Sequence, residues 1–233
     1  MPALSGGAIR ERFRAPLQSR LVITPLLDRR SQIQGSSVDL RLGTDFLVST
    51  RSKVAELDPA DKKYHQKLKE SFVEFQVPVG GAFVLHPRQF MLGSTLEYLR
   101  FPPDLMGYVE GRSSWGRLGL IIATATVVSP GFAGVLTFEI ANVGEVPVRL
   151  RAGARIAQIV IHDVRRTEAE KQSGEGGYVA LGSSKFRMPV GPELGRLDLD
   201  SDGPLLERYL GRHSGCNAVT SFIQGDSPEA VDR

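Results

Sequence analysis

The sequence has very little cysteine and no clustered histidine. Its 233 residues include one cysteine, Cys216, and four histidines. A single cysteine excludes an internal disulfide framework and is typical of a protein in a reducing compartment, so we expect a cytoplasmic location. The histidines lack the spacing that is typical of metal ligands. The sequence therefore predicts no metal site built from the protein's own side chains.

Long hydrophobic runs and a strong excess of one charge are also missing. Lysine and arginine total 29 and aspartate and glutamate 26, which gives a net charge of +3. This balance argues against a polycation that wraps nucleic acid, although a local basic patch would suit a small phosphorylated molecule. No apolar run approaches the length that a bilayer requires, and residues 1–20 carry arginines instead of a continuous apolar segment. We predict no nucleic-acid partner, no membrane span and no secretory signal.

The pattern that is present is that of a β protein. Between residues 36 and 162, short runs rich in valine, isoleucine, leucine, phenylalanine and threonine alternate with glycine and proline turns. Residues 37–42 alternate polar and apolar side chains, as a half-buried strand does. Residues 135–140 place Phe138 and Ile140 on one face and Glu139 on the other. Many short strands with little helix predict an all-β fold of the sandwich or jelly-roll type.

Three segments outside this pattern are predicted to form other structures. Residues 5–20 predict a short helix, with Ser5 as its cap and apolar residues at helical spacing, and residues 21–24 predict a strand. The charged segment 56–71 predicts a solvated helix or loop. Residues 203–212 predict a short amphipathic helix, and we expect the final ten residues to be disordered.

Residues 111–120 are the richest in chemistry. Their sequence, Gly-Arg-Ser-Ser-Trp-Gly-Arg-Leu-Gly-Leu, contains two guanidiniums, two hydroxyls and three glycines. A turn of this composition gathers backbone N–H groups and hydroxyls, and arginine adds planar donors that suit phosphate oxygens. Taken alone, the same residues would also suit a polar turn between two strands, held by its own hydrogen bonds.

This stretch resembles the second motif of the dCTP deaminase/dUTPase superfamily and is closest to the deaminase branch. Three further blocks resemble the family's other motifs in the order that the family requires, and they lie at 36–43, 83–97 and 129–158. Together the four blocks cover about residues 4–165. The resemblance implies a distorted jelly-roll, or β-clip, of the dUTPase-like type, with a short N-terminal helix and a C-terminal lid and tail.

The resemblance also divides the chain into three parts. Residues 1–165 would form the β domain with its N-terminal helix, 166–192 a linker and lid segment, and 193–233 a tail. Family members are homotrimers whose active sites are shared between neighbouring subunits. They act on deoxynucleoside triphosphates, with Mg²⁺ carried on the phosphates and not in a protein cage.

The implied reaction is the hydrolysis of dCTP to dUTP and ammonia. Zinc-dependent nucleobase deaminases hold their metal with a histidine or cysteine and a Pro-Cys-x-x-Cys pair, and this chain has one cysteine. Deamination here would therefore be zinc-independent. Glu139 matches the family's acid/base, which takes a proton from the water attacking C4 of cytosine and returns protons to N3 and the leaving ammonia. Arg117 matches an arginine that orients this carboxylate. Ser113 matches a position whose side chain bonds both the phosphate and the catalytic water.

The resemblance assigns substrate binding to further residues. Arg112 and Ser114 match phosphate contacts, and the backbone of Ala125 matches a carbonyl that holds the water or the exocyclic amine. Phe132 matches an aromatic ring beneath the sugar, although ordinary core packing explains a phenylalanine there equally well. The remaining predicted binding residues are Ser129 on the hairpin, Gln158 on the following strand, and Tyr178, Lys185 and Arg187 in the lid segment.

Three departures from the family pattern leave alternatives open. Ser129 stands where the family has an aspartate, which activates water in dUTPases and binds the sugar 3′-hydroxyl in deaminases; a serine can bind a hydroxyl but is no general base. The connection from Leu120 to Ser129 is one residue shorter than usual. Pro189 stands where a glutamine is expected and lacks its amide and a backbone donor. The alternatives are a deaminase of a modified or less phosphorylated deoxycytidine nucleotide, a dUTPase or bifunctional enzyme, and a non-catalytic trimeric nucleotide-binding regulator.

Overall fold

The computed structural model describes residues 2–50, 54–59, 61–123, 127–165, 167 and 188–197. The chain divides into two compact units, Met1–Gly195 and Arg196–Arg233. All the helices and strands named below belong to the first unit. The predicted helix at 203–212 and the predicted disorder of the last ten residues lie outside the described residues. None of the helices in the described part of the chain has the length and apolar character needed to cross a membrane.

The first unit is built mainly from short antiparallel strands, which confirms the predicted fold class. The described residues contain four short helices: α1 Gly6–Arg12, α2 Arg29–Gln32, α3 Tyr64–Glu70 and α4 Ser113–Gly116. They contain thirteen strands: β1 Val22–Thr24, β2 Ser37–Ser49, β3 Phe72–Gln76, β4 Ala82–Leu85, β5 Phe90–Thr95, β6 Tyr98–Arg100, β7 Leu105–Gly111, β8 Leu120–Ala123, β9 Val127–Val128, β10 Ala133–Gly134, β11 Thr137–Asn142, β12 Val148–Arg151 and β13 Arg155–Asp163.

Eight of these strands form one sheet. Its order is β8-β11-β5-β2-β13-β7-β9, and β3 pairs with β2 beside this path. The sheet curls, and its curl brings the end of β7 close to β8. A Cβ built on Gly111 would lie 3.1 Å from the Cβ of Ile122. Two smaller sheets, β1-β6-β10 and β12-β4, complete the unit. The curl encloses the hydrophobic core, in which Phe46, Phe138 and Ile159 are fully buried.

Strand β2 is long because it serves two halves of the curled sheet. Its first half pairs with β13, and its second half pairs with β5 and β3. The register against β5 shifts between Leu42 and Phe46. Gly43 lies at this shift, where an added Cβ would lie 2.9 Å from the carbonyl oxygen of Ser94. Only glycine therefore lets the two strands approach so closely at the bend.

Strand β11 shows the alternation that its sequence predicts. Phe138 and Ile140 are fully buried in the core, and Glu139 between them is half-buried on the opposite face. Because side chains alternate along a strand, Thr137 shares the face of Glu139. This opposite face carries the candidate site.

Two local expectations were wrong in extent. The predicted helix over 5–20 ends at Arg12, although Ser5 does cap it by accepting a hydrogen bond from the backbone N–H of Ala8. Pro16 disfavours helical geometry in the residue before it, so the chain continues as turns. The segment 56–71 is not wholly solvated, because Tyr64 and Leu68 of α3 are buried.

The start of β2 also differs from the half-buried strand that its alternation predicts. Residues 37–40 are all buried, including the polar Ser37 and Asp39. Helix α2 covers this end of the strand, since the Gln32 amide donates to the carbonyl oxygen of Asp39 and Ile33 bridges to Val38. The alternation of the strand's own residues carries no information about this neighbouring helix, so alternation alone misjudged the exposure.

Candidate active site

Glu139 lies on β11, the second strand along the path of the large sheet. It lies opposite Leu92 of β5 on one side and Ala123 of β8 on the other. With Thr137, it faces a cavity of about 350 Å³. Two of the predicted substrate-binding residues, Ser129 and Phe132, line the same cavity. The structure therefore brings together the proposed acid/base, the hairpin serine and the aromatic ring.

The walls of this cavity are mostly apolar. Phe90 and Leu92 come from β5, Val128 from β9, and Phe132 from the hairpin that leads into β10. Phe132 is 94% buried by its environment, with 6% of its surface exposed. Such a setting suits a flat, weakly polar ring and strengthens the few polar contacts made within it.

Helix α3 and the start of β3 supply a wall that the sequence reasoning did not predict. Tyr64, Leu68 and Phe72 line the cavity. The available signal was the spacing of Tyr64 and Leu68, which places them on one face of a helix four residues apart. Because lysines surround these two residues in the sequence, the segment was predicted to be solvated and its apolar face was not recognised.

The segment 188–195 closes the cavity on another side. The backbone N–H of Val135 donates to the carbonyl oxygen of Pro189 at 2.8 Å, and the N–H of Glu193 donates to Oγ1 of Thr137 at 3.1 Å. The ring of Pro189 packs on Gly134, where an added Cβ would lie 2.5 Å from Cδ of the proline. Pro189 thus forms part of the cavity wall and is held by its ring and its carbonyl oxygen. Neither contact needs a backbone N–H, which proline lacks.

The other described site residues form a second group around α4. Arg112 precedes this helix, and its backbone N–H donates to the carbonyl oxygen of Ile156. Ser113, Ser114 and Arg117 are exposed. The indole Nε1 of Trp115 donates to the carbonyl oxygen of Arg155 at 2.9 Å, which attaches the helix to β13.

The two groups are separated within one chain. Leu120, which follows α4, lies opposite Asn142, whereas Ala123 lies opposite Glu139. Three residues along β11 amount to about 10 Å. Arg112, Ser113, Ser114 and Arg117 are not among the residues that line the Glu139 cavity. Within the described residues of one chain, the two groups therefore do not line a common cavity.

Asp39 is a charged residue of the second group that the sequence reasoning missed. Only 2% of its surface is exposed. Nη1 of Arg155 lies 3.1 Å from its Oδ2, and Nε of Arg112 lies 3.7 Å from its Oδ1. Gln158, predicted to bind substrate, lies opposite Asp39 in the sheet, and its Oε1 accepts a hydrogen bond from Oγ of Ser37 at 3.5 Å. Arg112 and Gln158 of the second group thus lie next to a buried carboxylate.

Glu97 is the second buried acid that sequence reasoning did not single out. It is fully buried and accepts hydrogen bonds from Nε2 of Gln32 at 3.0 Å and from the backbone N–H of Arg41 at 2.9 Å. Burial raises the pKa of its carboxyl to about 7, against the hydrogen bonds, which lower it. Because it accepts the backbone N–H of Arg41 in β2, its protonation state affects the stability of the sheet.

Four predicted binding residues lie outside the described residues: Ala125, Tyr178, Lys185 and Arg187. Their assignments stay predictions. Within the described ranges, no group of three or more histidine, cysteine, aspartate or glutamate residues is arranged to hold a metal ion.

Comparisons with known proteins match most of the β unit to a single protein family. Residues 3–164 match the model of the dCTP deaminase-like family. A dCTP deaminase of Natronomonas pharaonis is 38% identical over 201 residues, which cover 85% of this chain and 96% of that protein. A dUMP-forming dCTP deaminase of Methanobrevibacter smithii is 41% identical over 201 residues, covering 86% of this chain and 97% of the other.

A solved structure is similar in fold. The 2′-deoxycytidine 5′-triphosphate deaminase of Agrobacterium tumefaciens superposes with a TM-score of 0.52 and 25% identity. The match covers 73% of this chain and 51% of that one, so this chain spans about half the length of that structure. The segment matched to the family model includes both groups of site residues described above.

Proposed function

The chain belongs to the dCTP deaminase-like family, and we propose that it hydrolyses dCTP to dUTP and ammonia without zinc. One observation carries the proposal: the cavity that places Glu139 beside Ser129 and Phe132 within mostly apolar walls. This arrangement suits a nucleobase and sugar that must meet a single proton-transferring carboxylate.

In the proposed mechanism, Glu139 handles every proton. Its carboxylate takes a proton from the water that attacks C4 of cytosine, which gives a tetrahedral carbon. The same group gives this proton to N3, then takes the proton of the new hydroxyl at C4 and passes it to the departing amine, so that ammonia leaves and the carbonyl of uracil forms. The half-buried position of Glu139 on the cavity face of β11 supports this role, because a positioned acid/base must lie within hydrogen-bond reach of the reacting atoms.

The product is proposed to be dUTP and not dUMP. Release of dUMP requires a second water, activated for attack on the phosphate chain. Ser129, on the hairpin, lines the cavity where the family has an aspartate, and a serine hydroxyl is no general base at neutral pH. A serine can still bond the sugar 3′-hydroxyl, so it is compatible with the deamination step.

The triphosphate is proposed to bind at α4. Arg112 offers a planar guanidinium, and Ser113 and Ser114 offer exposed hydroxyls. These donors suit phosphate oxygens, and no acidic cluster accompanies them within the described residues. The donor set thus fits a Mg²⁺ ion carried by the triphosphate itself, where the ion would neutralise phosphate charge.

A homotrimer with shared sites is part of the proposal. The separation of α4 from the Glu139 cavity within one chain supports it, since α4 of a neighbouring subunit would then complete the cavity. In that arrangement Ser113 and Arg117 would approach Glu139 across the subunit boundary. Closed rings of this kind are common among soluble homo-oligomers.

The test is an assay of ammonia release with product identification. Purified protein and Mg²⁺ are incubated separately with dCTP, dUTP, dCMP and CTP, and we expect dCTP alone to give ammonia and dUTP, without pyrophosphate. Glu139→Gln should lower the rate by at least about 10²-fold, because general acid–base catalysis contributes 10²–10⁴-fold. Glu145→Gln, at an exposed turn, is the control and should retain activity.

Each other outcome contradicts a stated part of the proposal. Pyrophosphate release from dUTP would overturn the argument from Ser129. Preferred turnover of dCMP would overturn the triphosphate assignment, and undiminished activity in Glu139→Gln would overturn the mechanism. Binding of dCTP without any turnover would overturn dCTP as the substrate and favour a regulator or a deaminase of a modified deoxycytidine nucleotide.

A further inference from the structure

The buried carboxylate of Asp39 has an unusual environment for a strand residue. It is 2% exposed and faces two guanidiniums, from Arg155 and Arg112. A buried charge is costly unless it is paired, and this one is paired twice. The two arginine side chains are about one-third exposed, at 32% and 34%, so both also reach the surface.

The two arginines are held in different ways. Nη1 of Arg155 donates to Oδ2 of Asp39 and to the carbonyl oxygen of Ser31, both at 3.1 Å. Its backbone carbonyl also accepts from Trp115. Arg155 is therefore part of the framework. Arg112 meets Asp39 only through Nε, at 3.7 Å, which is an ion pair too long for a hydrogen bond.

The contact with Asp39 sets the direction in which the Arg112 guanidinium points. A guanidinium has one edge made of its two terminal nitrogens and another that includes Nε. With Nε drawn toward Asp39, the edge formed by Nη1 and Nη2 is left for an incoming oxyanion. Arg112 directly precedes α4, where Ser113 and Ser114 are exposed.

We propose that Asp39 is a positioning residue, which orients the guanidinium of Arg112 to bind the phosphate chain of the substrate. The proposal rests on the proposed function for the identity of the ligand, a deoxynucleoside triphosphate. Asp39 touches no substrate atom and acts through Arg112, while Arg155 balances the remaining charge of the buried carboxylate.

The sign of the effect separates positioning from simple electrostatics. Asp39→Asn removes a negative charge next to two arginines, so the local potential becomes more positive. If charge alone mattered, an anion would then bind more tightly. If Asp39 orients Arg112, the anion binds more weakly, because the guanidinium no longer has a fixed direction and must be ordered on binding.

The experiment measures binding by calorimetry to the full chain carrying Glu139→Gln, so that dCTP is not consumed. The probes are dCTP, inorganic tripolyphosphate and deoxycytidine. In Asp39→Asn we expect about tenfold weaker binding of dCTP and tripolyphosphate, with deoxycytidine binding unchanged. Asp45→Asn is the matched control, since Asp45 is on the same strand but bonds Thr44 and Gln76, and it should bind all three probes normally.

Two additional variants keep the test decisive. Asp39→Glu keeps the charge but moves the carboxylate, so it should also weaken tripolyphosphate binding, and it carries the test if Asp39→Asn fails to fold. In the Arg112→Ala background, Asp39→Asn should cause no further loss, because a residue that acts through Arg112 has nothing left to orient.

Several results would overturn the proposal. These are unchanged or tighter tripolyphosphate binding in Asp39→Asn, an equal loss of deoxycytidine binding, and additive losses in the double variant. Failure of the proposed function gives a different result: wild-type protein would bind tripolyphosphate through Arg112, with the Asp39 dependence described, and would not deaminate dCTP.

Discussion

At the scale of single residues, three carboxylates on the curled sheet have different environments. Asp39 is buried between two guanidiniums, Glu139 is half-buried in a cavity, and Glu97 is fully buried against an amide and a backbone N–H. The described hydrogen-bond partners of Glu97, the Gln32 amide and the backbone N–H of Arg41, carry no charge. Burial therefore favours its neutral form and makes the fold sensitive to pH.

We predict that Glu97 makes the protein less stable as pH rises. Its pKa is about 7 when folded, against 4.5 for a free carboxyl. Because the folded state binds the proton more tightly, this contribution is fully present below pH 4.5, falls as pH rises and is lost above about pH 7, with a total of about 3 kcal/mol. Glu97→Gln should flatten this decline, as measured by urea unfolding between pH 5 and 8 at one protein concentration.

The control for this prediction is Glu74→Gln, an exposed glutamate on β3. It should follow the pH dependence of the wild type. Parallel curves for Glu97→Gln and the wild type would show that Glu97 does not titrate in this range.

At the scale of elements, the sequence predicted β1, the start of β2 and β11 as strands, because the apolar runs and alternation that mark them are local. The alternation of β11 placed Glu139 opposite the core correctly. It failed where another element covers a surface: α2, which directly precedes β2, covers the start of that strand, and the cavity uses the apolar face of α3. Local pattern fixes which side chains share a face, but only tertiary contacts determine what covers that face.

The segment 188–195 yields a prediction at this scale. Gly134 has φ +149°, and an added Cβ would lie 2.5 Å from Pro189 Cδ. Gly134→Ala should therefore move the segment off β10 and β11, breaking the hydrogen bonds at Val135 and Glu193. We expect faster hydrogen exchange at these two amides and a higher KM for dCTP.

Gly80→Ala provides the matched control. Gly80 also has a positive φ, +83°, but an added Cβ meets nothing within 4 Å. It thus has the backbone strain, about 1–3 kcal/mol, without the collision. Equal exchange at Val135 and Glu193 in the two variants would mean that Pro189 does not hold the segment in place.

At the scale of the whole molecule, the candidate site is divided. Glu139 and Phe132 line the cavity, whereas Arg112 and Ser113 lie at α4 and are not among the residues that line it. The sequence motifs identified both groups, and the family resemblance implied a site shared between subunits, but motif order alone does not tell which residues each copy supplies. A shared site makes a quantitative prediction about mixed oligomers.

We predict that two inactive variants restore activity when they are combined. In a trimer assembled from equal amounts of Glu139→Gln and Arg112→Ala chains, a site shared by two neighbours has both wild-type residues in about a quarter of cases. Refolding or co-expressing the two variants should thus give about a quarter of wild-type ammonia release. Arg112→Ala mixed with Ser113→Ala should give none, because both changes lie at the same α4 surface and no site regains both residues. If oligomers of confirmed mixed composition stay inactive in the first combination, each site is built from a single chain, and the residues of α4 must reach Glu139 by a movement within that chain.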